Sequence, residues 1–205
     1  MKITEHSTKV EIIAAINYDS GIVLEHVAPH FKNDKEIVTR AVAKRGEELQ
    51  YASASLQDDT DIVYCAIVTS KRNLGNALRW ASPRLRENPD FVLRIYDSRH
   101  IQNCYSGFAY AADTLKADPD FMTKVIHKKP SDIEYSPLSR DPNFICTAFD
   151  AGINLFKYLG DDAKNDPTVL SKAIEFSHLH PKSAPMDAIF FNALTIEHKE
   201  LAIAI

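Results

Sequence analysis

Apolar residues recur along the chain in segments with a spacing of i, i+3 and i+7. Leu49, Ala52 and Leu56 form one such set, and this spacing places side chains on one face of a helix. Each segment therefore predicts a short α-helix of about two turns. Full copies of the segment lie at residues 24–31, 49–56, 78–85, 108–115 and 156–163, with a shortened copy at 133–138.

A second apolar pattern follows each copy and predicts a longer helix of about three turns. It begins with Asp or Asn, side chains that cap helix N-termini, and in four copies proline follows at the first helical position. An apolar pair comes next, and a second apolar pair lies four residues after the first. Together the two pairs make a broad buried stripe on the helix. The predicted caps are Asp34, Asp59, Asn88, Asp118, Asp141 and Asp166.

Two further columns run through the copies, one compact and one aromatic. The compact position predicts close approach of neighbouring helices, and the aromatic one predicts rings packed between successive copies with polar tips near the surface. Glycines 21, 46 and 75 precede three copies and suit chain reversals after the longer helices. The compact column is Ala28, Ser53, Ser82, Ala112, Pro137 and Gly160; the aromatic column is His26, Tyr51, Trp80, Tyr110, Tyr135 and Tyr158.

These patterns predict an all-α, solenoid-like array of short helix-hairpin repeats, with about six copies of roughly 25 residues. One hairpin cannot bury its apolar face alone, so neighbouring copies must stack. We predict a single domain over residues 1–205. It has an N-terminal cap helix within 1–23 that contains Ile12, Ile13 and Ile16, repeats over 24–175, and a C-terminal cap helix within 183–205 after Pro181.

Composition and charge narrow the function classes. The formal net charge is −4 and the pI is near 6.1, which argues against a dedicated nucleic-acid binder. No apolar run is long enough to span a bilayer, and no secretory signal is evident. Three widely spaced cysteines indicate a reducing compartment, with each thiol in a helix as a small buried residue. We therefore expect a cytoplasmic protein.

The unit Leu-x-Tyr-Ala-Ser-x-x-Leu, followed by Asp/Asn-Pro-Asp and a Phe-Val pair, resembles the helical repeats catalogued as domain of unknown function 4116. The resemblance covers residues 24–174 and is sharpest over 49–92. It implies an all-α array and carries over no catalytic residue. Such repeats are known from bacteria living inside amoebae, from protists and from giant viruses. The resemblance thus implies an effector-type protein delivered into a host cytosol.

A basic stretch around Trp80 is the candidate binding site. One interpretation is a patch for an anion or an acidic partner, with Trp80 as an anchor. The other interpretation is a solvent-exposed face of arginines, with Trp80 buried in the aromatic column. This second interpretation is favoured, because charge clusters of this size are common on the surfaces of folded proteins. The candidate residues are Arg72, Arg79, Trp80, Arg84, Arg86, Arg94 and Arg99.

The sequence contains no recognisable catalytic or cofactor-binding motif. His178 and His180 are better explained by a helix end than by a metal site, and the Asp58–Asp61 run by helix capping. We therefore predict no cofactor and no metal. The first hypothesis is a scaffold that binds a protein partner. The alternatives are a binder of anions, phosphoinositides or nucleic acid through the central arginines, and an enzyme with a scattered active site. The oligomeric state stays open.

Overall fold

The computed structural model describes residues 3–18, 23–69, 76–98 and 107–180, without the side chain of His178. Every regular element in these ranges is helical, and no strand occurs in them. The predicted C-terminal cap helix, Gly21, Gly75 and Cys104 lie outside the described residues. The chain divides into two compact units, Met1–Leu115 and Lys116–Ile205, so the single-domain organisation stays a prediction.

Longer α-helices alternate with pairs of very short helical segments. The α-helices are α1 (Lys9–Asn17), α2 (Lys35–Lys44), α3 (Ala54–Gln57), α4 (Thr60–Thr69), α5 (Pro83–Arg86), α6 (Pro89–Tyr96), α7 (Asp113–Lys116), α8 (Pro119–Lys128), α9 (Pro142–Asp150), α10 (Asp161–Lys164) and α11 (Pro167–Leu179). The 3₁₀ helices are Phe31–Asn33, Gly46–Tyr51, Asn76–Trp80, Gly107–Tyr110, Pro130–Tyr135, Pro137–Arg140 and Phe156–Tyr158.

The six predicted caps are confirmed. Asp34 Oδ1 accepts the backbone N–H groups of Glu36 and Ile37 at 3.0 and 3.1 Å, and the other five caps accept one or two N–H groups in the same positions. The predicted prolines occupy the first turn of α6, α8, α9 and α11. Thr8 caps α1 in a reciprocal capping box with Glu11.

The predicted stripes of the longer helices are buried throughout. In α2 the four stripe residues are Ile37, Val38, Ala41 and Val42, each at most 2% exposed. The corresponding residues of α4, α6, α8, α9 and α11 are buried as well. In unit 1, α2 packs against both α1 and α4, so burial of this stripe supplies the main apolar contribution to folding.

The prediction of a continuous two-turn first helix is wrong. In the copy at residues 49–56, a 3₁₀ helix ends at Tyr51, Ala52 and Ser53 are extended, and α3 begins at Ala54. The copy at 78–85 breaks in the same way at Ser82, with φ −57° and ψ 154°. The predicted apolar positions are buried nevertheless, because Leu49, Ala52 and Leu56 all face the core.

The break frees a backbone N–H that bonds to the preceding copy. Ser53 N–H donates to the carbonyl of Lys32 at 2.8 Å, and Ser82 N–H donates to that of Gln57 at 3.0 Å. Ala112 N–H donates to Arg86 in the same way, at 3.0 Å. A residue inside a helix would use this N–H within the helix. The compact column therefore marks an extended residue that joins two copies, rather than a close helix crossing.

Two residues of the pattern act differently from their predicted roles. Pro137 occupies the compact position of the shortened copy and has no N–H, so the hydroxyl of Ser136 donates to the carbonyl of Lys116 instead, at 2.5 Å. Gly46 does not provide a left-handed turn, since Gly152 is the described glycine with positive φ. A Cβ at Gly46 would collide with the carbonyl oxygen of Ala66, so close approach requires glycine there.

Candidate binding surface

The aromatic column lies at the 3₁₀ segments and at the equivalent turn of the first copy, and none of its residues is fully buried. Trp80 and Tyr110 are half-buried, and Tyr135 is 40% exposed. Packing of these rings between successive copies, with polar tips near the surface, stays a prediction. A 3₁₀ helix turns about 120° per residue. When the leading residue, such as Leu78, faces the core at 0% exposure, the residue two positions later points elsewhere.

Arg79, Trp80 and Tyr110 form a cluster on this surface. The Arg79 guanidinium lies 5.0 Å from the centre of the Trp80 ring and 5.9 Å from that of Tyr110. The two rings come from consecutive 3₁₀ helices, Asn76–Trp80 and Gly107–Tyr110, which pack together. Such distances give an attraction between the cation and the negative ring faces. Arg79 itself is exposed.

Arg84 is bound to the preceding copy instead of being free on the surface. Its Nε lies 2.9 and 3.0 Å from the carboxylate oxygens of Asp58, and its terminal nitrogen donates to the Asp58 carbonyl at 2.8 Å. Ser82 also donates to this carboxylate. Bonds from Ser82 and Arg84 lower the pKa of Asp58 below its ordinary value, so the carboxylate stays ionised and compensates the Arg84 charge.

The other predicted arginines have different surroundings. Arg94 lies on α6, 4.3 Å from the centre of the Tyr64 ring and 3.9 Å from Asp61 Oδ1. Arg86 is half-buried, and its backbone carbonyl accepts the N–H of Ala112. Arg72 and Arg99 lie outside the described residues. Of the predicted set, the structure thus brings Arg79 and Trp80 together and pairs Arg84 and Arg94 with carboxylates.

Two buried carboxylates were not singled out from the sequence. Glu48 is 2% exposed, and its two oxygens accept the N–H groups of Val23 and Leu24 at 2.7 and 2.8 Å. Asp132, at 1% exposure, lies 3.3 Å from Lys129 Nζ. Each residue directly precedes the leading apolar residue of its copy, where other copies carry Ala77, Gly107 or Leu155. The sequence signal for these two residues was a carboxylate at a position that is uncharged in the other copies.

The electrostatics of Glu48 follow from its burial. Loss of hydration raises the pKa of Glu48 above its ordinary value, and the two backbone N–H groups, together with the charge of Arg45, oppose the rise. A carboxylate that satisfies two buried N–H groups of the preceding copy acts as a clasp between copies. We assign Glu48 a structural role.

Two open grooves in the described part of unit 2 hold titratable groups. One, of about 500 Å³, contains Cys146 and Lys172 beside Asp150 and Glu175. Bonds to these two carboxylates, at 2.5 and 2.9 Å, raise the pKa of Lys172, and burial raises that of the Cys146 thiol. Both shifts oppose formation of a nucleophile at neutral pH. Cys146 and Cys65 are half-buried in α9 and α4, less buried than predicted.

The described residues contain no group of three or more His, Cys, Asp or Glu side chains arranged to hold a metal ion. His180 instead stacks on Phe176, with ring centres 4.4 Å apart, at the end of α11. None of the helices in the described ranges combines the length and the apolar character needed to cross a membrane.

Comparison with known proteins identifies one family. Residues 12–57 match the model of the domain of unknown function DUF4116. This match confirms the resemblance for a stretch that runs from α1 through the first copy to the end of α3. The apolar and cap pattern of the sequence recurs in the later copies, up to residue 174. No curated protein and no solved structure matches the chain.

Proposed function

We propose that this chain is a non-enzymatic helical-repeat scaffold of solenoid type that binds a protein partner along its aromatic column. The partial exposure of the column residues carries the proposal, because the leading apolar residues of the copies that begin at 24, 49, 78, 108 and 133 are fully buried beside them. Tyr, Trp and Arg are the residue types that dominate binding energy at protein interfaces. Rings that stay partly exposed at the same position of consecutive copies therefore favour a partner that covers several copies.

Contacts that recur between copies support the stacked arrangement. Besides the backbone bonds from Ser53, Ser82 and Ala112, the Asn33 oxygen accepts the hydroxyls of Ser53 and Ser55 at 2.6 and 2.8 Å. Asp58 occupies the position of Asn33 in the next copy, and it accepts from Ser82 and Arg84, the counterparts of the two serines. Stacking through equivalent contacts is typical of repeat proteins.

Further contacts join the N-termini of consecutive longer helices. Lys9 Nζ lies 2.7 Å from Asp34 Oδ2, and Lys35 Nζ lies 2.7 Å from Asp59 Oδ2. In both pairs a lysine at the first residue of one longer helix reaches the cap of the next. The same register therefore joins α1 to α2 and α2 to α4, which is what a regular array requires.

Charge favours a protein partner over a polyanion. The chain has a formal net charge of −4, and Arg84 and Arg94 of the central stretch have carboxylates beside them. Phosphate backbones are bound by several uncompensated cations acting together. We place the protein in the cytosol, with delivery into a host cytosol as the DUF4116 resemblance implies.

Photo-crosslinking at single positions tests the proposal. Benzoylphenylalanine replaces Tyr51 or Tyr110 in the column, and Asp90 or Lys124, exposed on longer helices, as matched controls. Eukaryotic and bacterial extracts are used in parallel. We expect an adduct of one size from the column positions, which saturates and is competed by unlabelled protein, and none from the controls. Equal adducts from column and controls, or none from the column, would overturn the proposal.

A further inference from the structure

The cluster of Arg79, Trp80 and Tyr110 points to one chemical class of partner, and this inference rests on the proposed function. We propose that the cluster binds an extended acidic peptide segment of the partner. A carboxylate of the segment pairs with the Arg79 guanidinium, and a neighbouring apolar side chain packs on the Trp80 and Tyr110 rings.

The first argument is that Arg79 is held in place before binding. Its guanidinium lies over two rings, at 5.0 Å from Trp80 and 5.9 Å from Tyr110. A free arginine side chain loses conformational entropy when it is fixed. Ring contacts restrict this side chain in the unbound protein, so less entropy remains to be lost on binding.

The second argument is that the charge and donors of Arg79 are unused. Within the described part of the chain, Arg79 forms no ion pair and no hydrogen bond, whereas Arg84 has Asp58 and Arg94 has Asp61. A contact with a ring face does not use up the N–H donors of a guanidinium, and the Arg79 side chain is exposed. A planar fork of N–H groups matches the two oxygens of a carboxylate.

A comparison within the chain separates this cluster from a similar pair. Lys157 lies 5.4 Å from the Tyr158 ring centre, at the same positions in its copy as Arg79 and Trp80. The groove that contains Lys157, of about 600 Å³, is also lined by Asp161, Asp162 and Glu134. Three carboxylates thus share this groove with Lys157 and Arg140, and they disfavour a further carboxylate from a partner.

A peptide fits the cluster better than a phosphate polymer. Among the described residues, the cluster offers Arg79 as its uncompensated cation, which is enough for a single carboxylate, while a polyanion gains its affinity from several cations in a row. The half-exposed rings beside Arg79 also offer apolar area that a peptide side chain covers on binding. Extended, proline-containing segments pack on aromatic surfaces of this kind.

Fluorescence gives a direct test, because Trp80 is the one tryptophan of the chain. The probe is an acetylated nine-residue peptide that alternates glutamate with proline, compared with its glutamine counterpart. We expect the acidic peptide to change Trp80 emission saturably and to bind at least about tenfold more tightly than the glutamine peptide. Arg79→Gln should remove this preference. Arg84→Gln, a matched change at an exposed but paired arginine, should alter the Kd by less than about threefold.

Equal affinity for the two peptides would overturn the inference, as would equal effects of Arg79→Gln and Arg84→Gln. Binding of single-stranded RNA or heparin as tightly as the acidic peptide would also overturn it, in favour of a polyanion site. If crosslinking occurs at the column positions but the glutamate peptide binds no more tightly than the glutamine peptide, this inference alone is wrong. If the glutamate peptide is preferred but crosslinking does not depend on position, the proposed function is wrong instead.

Discussion

The carboxylate of Glu48 accepts two backbone N–H groups of the preceding copy, and replacing it with alanine leaves both without an acceptor. The donors belong to Val23 and Leu24, which are 3% and 0% exposed. Water therefore cannot readily replace the carboxylate. The change tests whether consecutive copies are held together by this clasp as well as by apolar packing.

The expected magnitude follows from the two lost bonds. A buried donor left unsatisfied costs about 1–3 kcal/mol, so two such donors cost about 2–6 kcal/mol. The alanine variant no longer has to desolvate a carboxylate, and this relief offsets part of the loss. We expect Glu48→Ala to reduce the free energy of unfolding by about 2–4 kcal/mol. Glu48→Gln, which keeps one acceptor oxygen, should lose about half as much.

Urea denaturation followed by circular dichroism at 222 nm measures these losses. Glu5→Ala is the control, since Glu5 is exposed and its replacement should change stability by less than about 0.5 kcal/mol. If Glu48→Ala unfolds at the same urea concentration as Glu5→Ala, the clasp contributes nothing and the reasoning is refuted.

The pH dependence of the same variants supplies an independent check. Burial raises the pKa of Glu48 in the folded chain above the ordinary value of 4.5, so the folded state keeps this proton to higher pH than the unfolded state. Above about pH 4.5 unfolding then releases a proton, and the contribution of Glu48 falls as pH rises through its folded pKa. The wild-type stability minus that of Glu48→Gln should decrease over this window. A difference that rises or stays constant would contradict the assigned pKa direction.

The remaining predictions concern two residues that lie against a backbone carbonyl group of another segment. Gly46→Ala should destabilise the protein by about 1–3 kcal/mol through overpacking. Gly160→Ala is the control: open space surrounds its Cβ position, but Gly160 is the N-cap of α10, so we expect a loss of less than about 1 kcal/mol. Thermal unfolding that ranks the two variants equally would refute this. Ser136→Ala should cost about 1–2 kcal/mol because the carbonyl of the preceding copy loses its donor. Ser131→Ala, a neighbouring serine, should cost less than about 0.5 kcal/mol in the same assay, and equal losses would show that the hydroxyl bond is unimportant.

The longer helices could be predicted from the sequence because their determinants are local. A cap such as Asp118, the following Pro119 and the apolar pair Phe121 and Met122 all lie within five residues. Each acts on the helix that contains it, through capping, a preset φ and a stripe of helical period. Burial of the stripe follows from the same period.

The first helices could not be predicted correctly because their conformation depends on the preceding copy. Apolar spacing at Leu78, Ala81 and Leu85 suits either a continuous helix or two short pieces. Bonding of Ser82 N–H to the distant Gln57 carbonyl selects the broken form. Pro83 was the local warning, since a residue before proline disfavours the α conformation.

The candidate surface was predicted in part for a similar reason. Arg79 and Trp80 are neighbours in sequence, so their association could be foreseen, but the second ring of the cluster comes from Tyr110 in the next copy. The same separation hid the pairing of Arg84 with Asp58. Charge counting along one stretch cannot show which cations are compensated by carboxylates of another copy.

Amide hydrogen exchange measured by NMR tests the stacking of copies most directly. The N–H groups of Ser53, Ser82 and Ala112 each bond to a carbonyl of the preceding copy, although they lie between helical segments and not inside one. Stacked copies predict that these three amides exchange slowly, with opening free energies close to those of the buried amides of α2 and α4. Exchange of all three at the rates of an unstructured peptide would contradict the array and the binding surface built on it.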